Sequence, residues 1–345
     1  MIRAAVTMTA MKRALLGLVF LSACSSPPPQ PPSAPPGPAP AGIPVGLPGE
    51  APRTFCDASG RWSASGHRVE HRIEPEGGDE PAHPSAGSPR LSLFRGTLPF
   101  PQVTWDAGGG FQVTQLLYPA GPSGVVARYH VMNHGDEPRS CRLVVASGGL
   151  VPSGTGASRT ASGWSFPLRV EPGTSAFVHL TTADLAGRVQ AEDLERAAAA
   201  WERAFEGRRL RVPDADAVTE YYAALAGIRM GLSERAAVLD RLLGRLARPE
   251  GGAIRLFPDV PEAWLYQTIE AEGIPTPFGA LTVQYEGAFN ARALELRGDC
   301  RPPQGFLLEA PAELSARIDG RPAAPSGGLL RIPAGARRIE LVRPS

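Results

Sequence analysis

A single lysine, Lys12, occurs in the chain, although lysine and arginine together number 35. Arginine carries almost all the positive charge, and with abundant Ala, Gly and Pro this resembles the codon bias of a GC-rich genome, from which no function follows. Net charge is also scarce: the 35 basic residues face 34 acidic ones, interspersed along the chain, for +1 at pH 7. Nucleic-acid binding calls for a basic patch or stripe, so no nucleic-acid partner is expected. Nothing electrostatic draws the chain to an anionic membrane surface either. There are four cysteines and no C-x-x-C pair, which leaves a zinc ribbon or redox centre without support. No G-x-S-x-G elbow suggests a lipase or esterase triad. No motif asks for a cofactor.

What the chain does have begins at its N-terminal end. Lys12 and Arg13 precede an apolar or small-residue run from Ala14 to Ala23, the layout of a secretory signal peptide. A membrane span needs about 20 apolar residues. This run has half that length, and Ser25, Ser26 and a proline tract follow, so cleavage is expected rather than anchoring by a helix. Met1, Met8 and Met11 each offer a start. The four residues Leu21-Ser22-Ala23-Cys24 resemble the lipobox of bacterial lipoproteins. That resemblance implies a signal over residues 1–23, lipidation of Cys24 and a membrane partner held through the acyl chains. Each buried methylene adds roughly 0.8 kcal/mol, so several chains anchor firmly where one does not. Serine rather than aspartate after the cysteine implies the outer membrane as the address within the cell envelope.

Residues 24–53 read as a Pro-rich linker, starting with Pro27-Pro28-Pro29 and Pro31-Pro32. Such composition buries no core and favours polyproline II. At about 3.1 Å per residue, roughly 25 residues extend up to about 75 Å, the reach of a stalk.

Residues 54–182 carry short runs of β-formers broken by Gly, Pro and Asn, the spacing of a β-sandwich. The runs centre on Trp62, Leu91–Phe94, Phe111–Tyr118, Val125–Met132, Cys141–Ala146, Trp164–Val170 and Ala176–Leu180. The turn Asn133-His134-Gly135-Asp136 predicts a hairpin from Val125 to Ala146. Residues 183–250 switch to a helical period. A first helix carries Leu194, Ala197, Trp201 and Phe205 on one side, and Pro213 to Asp216 opens a second. Ser233 is expected to cap a third, stopped by Pro249 and Gly251-Gly252. The β pattern returns over 251–345, with strands at Leu281–Tyr285, Ala291–Leu296, Phe306–Leu308, Leu314–Ile318, Leu329–Ile332 and Ile339–Val342. The expected fold is mainly β with a short α insert: two β-sandwich regions flanking a two- or three-helix segment. Cys56, Cys141 and Cys300 allow at most one bridge in a disulfide-permissive compartment, with the pairing open, or stand as three buried thiols.

Three stretches in order, Val125 to Asp136, Trp201 to Asp214, and Leu256-Phe257-Pro258-Asp259-Val260-Pro261-Glu262-Ala263-Trp264-Leu265 with Pro275 to Gly279, resemble the bacterial six-hairpin glycosidases. In those enzymes an N-terminal β-sandwich leads by a linker helix into an (α/α)6 barrel, and a C-terminal β-sandwich follows. The resemblance implies that both sandwiches are kept and the barrel is largely missing. Twelve helices of about 11 residues with loops of about 5 need on the order of 190 residues. Only about 40 lie between Val212 and Gly251. The family's catalytic carboxylates belong largely to the missing part, so none is carried over.

Glycoside hydrolysis uses two carboxyl groups about 5 to 9.5 Å apart. Asp214, Asp216 and Glu262 are the candidates, with Glu220 near the first two, although acids in a first helical turn also suit the helix dipole. Trp264 offers an indole face to a sugar or a large side chain to the core, as do Trp62, Trp105 and Trp164. His67-Arg68-Val69-Glu70-His71 spells the H-x-x-E-H of zinc peptidases. Gly66 and the alternation of Val69 and Ile73 with charged residues predict a strand there, and no metal is expected. The function expected from these readings is a lipid-anchored envelope lipoprotein, a non-catalytic carbohydrate-related binding or structural module with polysaccharide as ligand. The alternatives are a glycoside hydrolase and a structural or protein-binding lipoprotein.

Overall fold

The computed structural model describes residues 42–344 apart from 65, 78–79, 85–87, 122, 148, 154–155, 183–184 and 186–191. The lipobox, Cys24 and the proline tracts lie outside the described residues. The chain is mainly β, in several antiparallel sheets, with three helices between the β regions.

In the N-terminal region a six-stranded sheet runs Leu150–Pro152, Ser175–Thr182, Gly124–Asn133, Phe111–Ala120, Leu98–Asp106, Arg90–Phe94. A five-stranded sheet runs Ser158–Arg159, Gly163–Val170, Arg139–Ala146, His67–Pro75, Trp62–Ala64. Alternate residues of each strand point inward. Val69 and Ile73 from one sheet thus meet Val113, Tyr129 and Val131 from the other in a single core. Trp62 and Trp105 belong to that core, and Trp164, half-buried, donates its indole N–H to the Leu150 carbonyl at 2.7 Å.

The expected hairpin at Asn133 is not one. Gly124–Asn133 pairs with Phe111–Ala120 and Ser175–Thr182, whereas Arg139–Ala146 pairs with Gly163–Val170 and His67–Pro75. The segment between them is an arch that carries the chain from one sheet to the other. Buried Asn133 explains the geometry. Its Nδ2 donates to the carbonyls of Glu137 at 2.8 Å and Val170 at 2.9 Å, and its Oδ1 accepts from the Gly135 N–H at 2.9 Å. The Asn side chain satisfies backbone groups that ladder bonds would otherwise take.

The stretch read as stalk acquires structure before its expected end. Ile43–Val45 forms a buried antiparallel pair with Thr54–Cys56. Ile43, Val45 and Leu47 are the apolar residues that make this possible, and Trp201 fixes the loop by donating its indole N–H to the Gly46 carbonyl at 2.9 Å.

Helix α1 spans Asp193–Ala204 and buries Leu194, Ala197, Ala198 and Trp201. Helix α2 spans Ala215–Arg229 and is buried around most of its surface, by Tyr221, Tyr222, Leu225 and four alanines among others. Helix α3 spans Arg235–Leu246 and turns Leu239, Leu242, Leu243 and Leu246 inward. Ser233 gives α3 no side-chain cap; Glu234 holds the cap position in helical backbone geometry. Pro249 and Gly251-Gly252 do not stop the helix either. It ends at Leu246; Pro249 lies within strand Ala247–Glu250, and Gly251-Gly252 turn the chain into strand Ala253–Leu256. Glycine suits that turn because both positions have positive φ.

The C-terminal region pairs a seven-stranded sheet with a four-stranded one. The larger runs Arg209–Arg211, Thr268–Thr276, Gly279–Gly287, Ala291–Gly298, Arg338–Val342, Ser315–Ile318, Arg321–Ala323. The smaller runs Ala247–Glu250, Ala253–Leu256, Phe306–Glu309, Leu329–Ile332, and its middle pair is parallel. Strands Arg209–Arg211 and Ala247–Glu250 come from the stretch read as helical. Helices, the inner faces of these sheets and part of the outer face of the N-terminal sheet share one continuous core.

All three described cysteines are free and buried. Cys56 and Cys141 sit in the N-terminal sandwich core, and Cys300 lies 3.2 Å from the Thr276 hydroxyl.

Candidate functional site

Around Trp264 the chain makes a 3-10 turn, Glu262–Tyr266, entered through the extended Pro261. Three residues per turn put positions two apart on different sides. Trp264 accordingly faces inward at 7% exposure, with the Arg245 guanidinium 5.2 Å from its ring centre. It is a core residue, packed in the cluster that includes the inward leucines of helix α3. Tyr266 faces outward at 38% exposure.

The adjacent hairpin brings a second ring to Tyr266. Phe289 sits in the turn between strands Gly279–Gly287 and Ala291–Gly298 and is 73% exposed. The 3-10 turn is pinned to this hairpin by two features. Tyr285 donates its hydroxyl to the Leu265 carbonyl at 2.8 Å, and Gly287 lies so close that a Cβ there would stand 2.1 Å from the Leu265 oxygen. Tyr266 and Phe289 end with ring centres 6.5 Å apart and planes 24° from parallel. Arg292 stands over the Tyr266 ring at 5.5 Å and Arg343 over the Phe289 ring at 5.3 Å. Tyr266 donates its hydroxyl to Glu262 Oε1 at 3.2 Å. Burial pushes the Tyr285 hydroxyl up to about 12, with Arg292 acting in the opposite sense.

A cleft of about 530 Å³ opens beside the Tyr266 ring, lined also by Arg211, Gln267, Thr268 and Glu286. Exposed aromatic side chains beside donors and acceptors are a chemistry that can hold a pyranose, its C–H face stacking on a ring and its hydroxyls bonding to the rim, while one face of each ring here carries a guanidinium. Neither Tyr266 nor Phe289 was singled out by the sequence pattern. The signal for Phe289 is a large apolar residue inside the turn Gly287-Ala288-Phe289-Asn290.

Glu262 bonds to Tyr266 without lining this cleft, and the other candidate carboxylates lie away from it. Asp214 caps helix α2, accepting from the N–H groups of Asp216 at 2.9 Å and Ala217 at 3.0 Å. Asp216 and Glu220 line a separate groove of about 1000 Å³ between α2 and the N-terminal region, together with Asp57, Arg61 and Arg90. Glu220 accepts from Arg241 at 2.7 Å. Burial acts to raise the Asp57 carboxyl, but hydrogen bonds from the Ser59 hydroxyl and the Arg61 and Ser59 N–H groups hold it below its ordinary value.

The H-x-x-E-H residues lie on strand His67–Pro75. His67 is exposed, while His71 packs in the sandwich core 5.1 Å from the Trp105 ring and 5.4 Å from the Tyr129 ring. Burial, with His83 nearby, lowers His71 to about 3. Among the described residues no three His, Cys, Asp or Glu side chains are grouped to hold a metal ion. Among them, too, no helix is long and apolar enough to cross a membrane. The sequence matches no protein-family model, and comparison with curated proteins finds no significant match.

Proposed function

We propose that the chain is a lipid-anchored lipoprotein of the bacterial cell envelope whose C-terminal β region binds polysaccharide without cleaving it. The observation that carries this reading is the exposed pair of Tyr266, on the 3-10 turn, and Phe289, on the adjacent hairpin, with Gln267 and Glu286 beside Tyr266 in the cleft and Glu262 bonded to its hydroxyl. Large aromatic side chains left in water cost solvation free energy, and their nearly parallel planes suit sugar rings. The anchor rests on Leu21 to Cys24, and the sugar class accords with the resemblance to six-hairpin glycosidases. The test is co-sedimentation of the full chain with a panel of insoluble bacterial polysaccharides, with the supernatant assayed for new reducing ends. Retention without reducing ends is the expected result; absence of retention on every polysaccharide refutes it.

A glycoside hydrolase is the second reading, favoured by Asp57, Asp216 and Glu220 lining one groove. It requires reducing-end release that disappears in Asp216→Asn or Glu220→Gln.

A further inference from the structure

The outer face of the seven-stranded sheet is laced with ion pairs, and at one end of it the pairing runs out. A cleft of about 460 Å³ lies between the end of strand Ala291–Gly298 and the turn before strand Arg338–Val342, lined by Arg297, Arg301, Arg337, Arg338 and Glu295. Two of its four guanidinium groups are matched by carboxylates. Arg297 bonds to Glu295 at 2.5 Å and Arg338 to Glu340 at 3.0 Å. Arg301 and Arg337 form no ion pair among the described residues. Arg301 reaches the carbonyls of Cys300 at 2.8 Å and Gly298 at 3.2 Å, which orients its guanidinium without neutralising it. Asp319 accepts at Oδ1 from the backbone N–H groups of Arg337 at 3.1 Å and Arg338 at 2.9 Å, and its carboxylate also feels the Arg337 and Arg321 charges without forming an ion pair to either among the described residues. The two backbone bonds hold Arg337 and Arg338 at the rim of the cleft.

We propose that this cleft binds a phosphomonoester carried on a sugar-sized group. The argument is charge and shape. Four guanidinium groups line the cleft with one carboxylate, Glu295, and this excess of positive charge suits a group bearing about −1.5 to −2 at pH 7. Planar guanidinium forks from two walls of a cleft suit oxyanion recognition, in which arginine bonds in pairs to adjacent oxygens. The volume admits one hexose with its phosphate. The site is separate from the aromatic pair and stands or falls independently of polysaccharide binding there.

The full chain carrying Cys24→Ser, so that no acyl chain contributes, is titrated calorimetrically with glucose 6-phosphate, with glucose as the uncharged control. It is also floated with phosphatidylcholine vesicles with and without phosphatidic acid. Binding of glucose 6-phosphate but not glucose is expected, weakened at least tenfold in Arg301→Ser/Arg337→Ser. The single Arg337→Ser variant repeats the reading without disturbing the Arg301 bonds to carbonyls. Arg317→Ser, elsewhere on the same sheet, leaves binding unchanged. Flotation only with phosphatidic acid, lost in the double variant, identifies the phosphate as a lipid headgroup; binding in solution without flotation identifies a soluble sugar phosphate. Failure of both probes to bind overturns the proposal, as does equal binding by the double variant.

Discussion

Asn133 donates from Nδ2 to the carbonyl oxygen of Val170 at 2.9 Å, bridging 37 residues of chain at the point where it passes from one sheet of the sandwich to the other. The same side chain serves Glu137 and Gly135, so one residue closes the arch. Asn133→Leu leaves the Val170 carbonyl buried without this partner, while the partly exposed Glu137 carbonyl and Gly135 N–H can turn to water. One buried unsatisfied group costs about 1 to 3 kcal/mol, and a loss in that range is expected. Urea denaturation followed by tryptophan fluorescence measures it. An unchanged midpoint means that the arch does not depend on this side chain.

His71 gives stability a pH dependence. Its folded pKa is lowered to about 3, chiefly by burial and secondarily by His83, with Asp57 pulling the other way. Unfolded histidine titrates near 6.5. Between these values the unfolded chain binds a proton that the folded chain refuses, so stability falls as pH falls from about 6.5 towards 3. Above pH 6.5 this contribution is constant. His71→Phe keeps an aromatic ring against Trp105 and Tyr129 and removes the proton, so its melting temperature is expected to vary less than wild type across pH 4–6.5. Parallel slopes for the two proteins would rule His71 out as the source.

Much of the fold could be read from residue pattern, and the failures have particular causes. Runs of β-formers between Gly, Pro and Asn located many of the strands but passed over Leu98–Asp106 and Thr268–Thr276, and Leu194, Ala197 and Trp201 at helical spacing located α1. Asn133-His134-Gly135-Asp136 misled because an Asn-x-Gly turn between two alternating runs suits an arch as well as a hairpin. Only long-range pairing decides between them. Pro249 and Gly251-Gly252 were read as a helix stop because a β-turn and a helix end use the same residues. Ile43 and Val45 were masked by the prolines around them. At the site the sequence pointed to Trp264, the larger ring, and passed over Tyr266 two residues later. Which of two neighbouring aromatics faces out is set by the 3-10 turn, whose residues carry no periodicity long enough to read.

The cysteines are distinguished by reactivity as well as packing. Burial raises the Cys56 thiol far above its ordinary value and pushes Cys141 up to about 12, with Asp57 and Glu76 respectively adding to the effect. Thiolate is the reactive form, so both are expected to be inert. Brief treatment of native protein with iodoacetamide, followed by denaturation, digestion and mass spectrometry, should find Cys56 and Cys141 unmodified. The same treatment in guanidinium chloride should alkylate them. Rapid native alkylation, or disulfide-linked peptides from oxidised protein, contradicts their placement as free buried thiols.

Trp264, Phe289 and Gly287 separate stability from binding within a few residues. Trp264 is in the core, so Trp264→Ala is expected to cost about 3 to 5 kcal/mol, as for other buried aromatics. Phe289 is 73% exposed, so Phe289→Ala is expected to leave the melting temperature within about 2 °C while lowering polysaccharide retention at least tenfold. Gly287→Ala tests the link between them. Its methyl would stand 2.1 Å from the Leu265 oxygen, so the 3-10 turn must move and carry Tyr266 away from Phe289. Loss of retention in Gly287→Ala, with both rings still present, shows that their spacing matters. Retention equal to wild type in Phe289→Ala and Tyr266→Ala moves sugar binding, if any occurs, elsewhere on the chain.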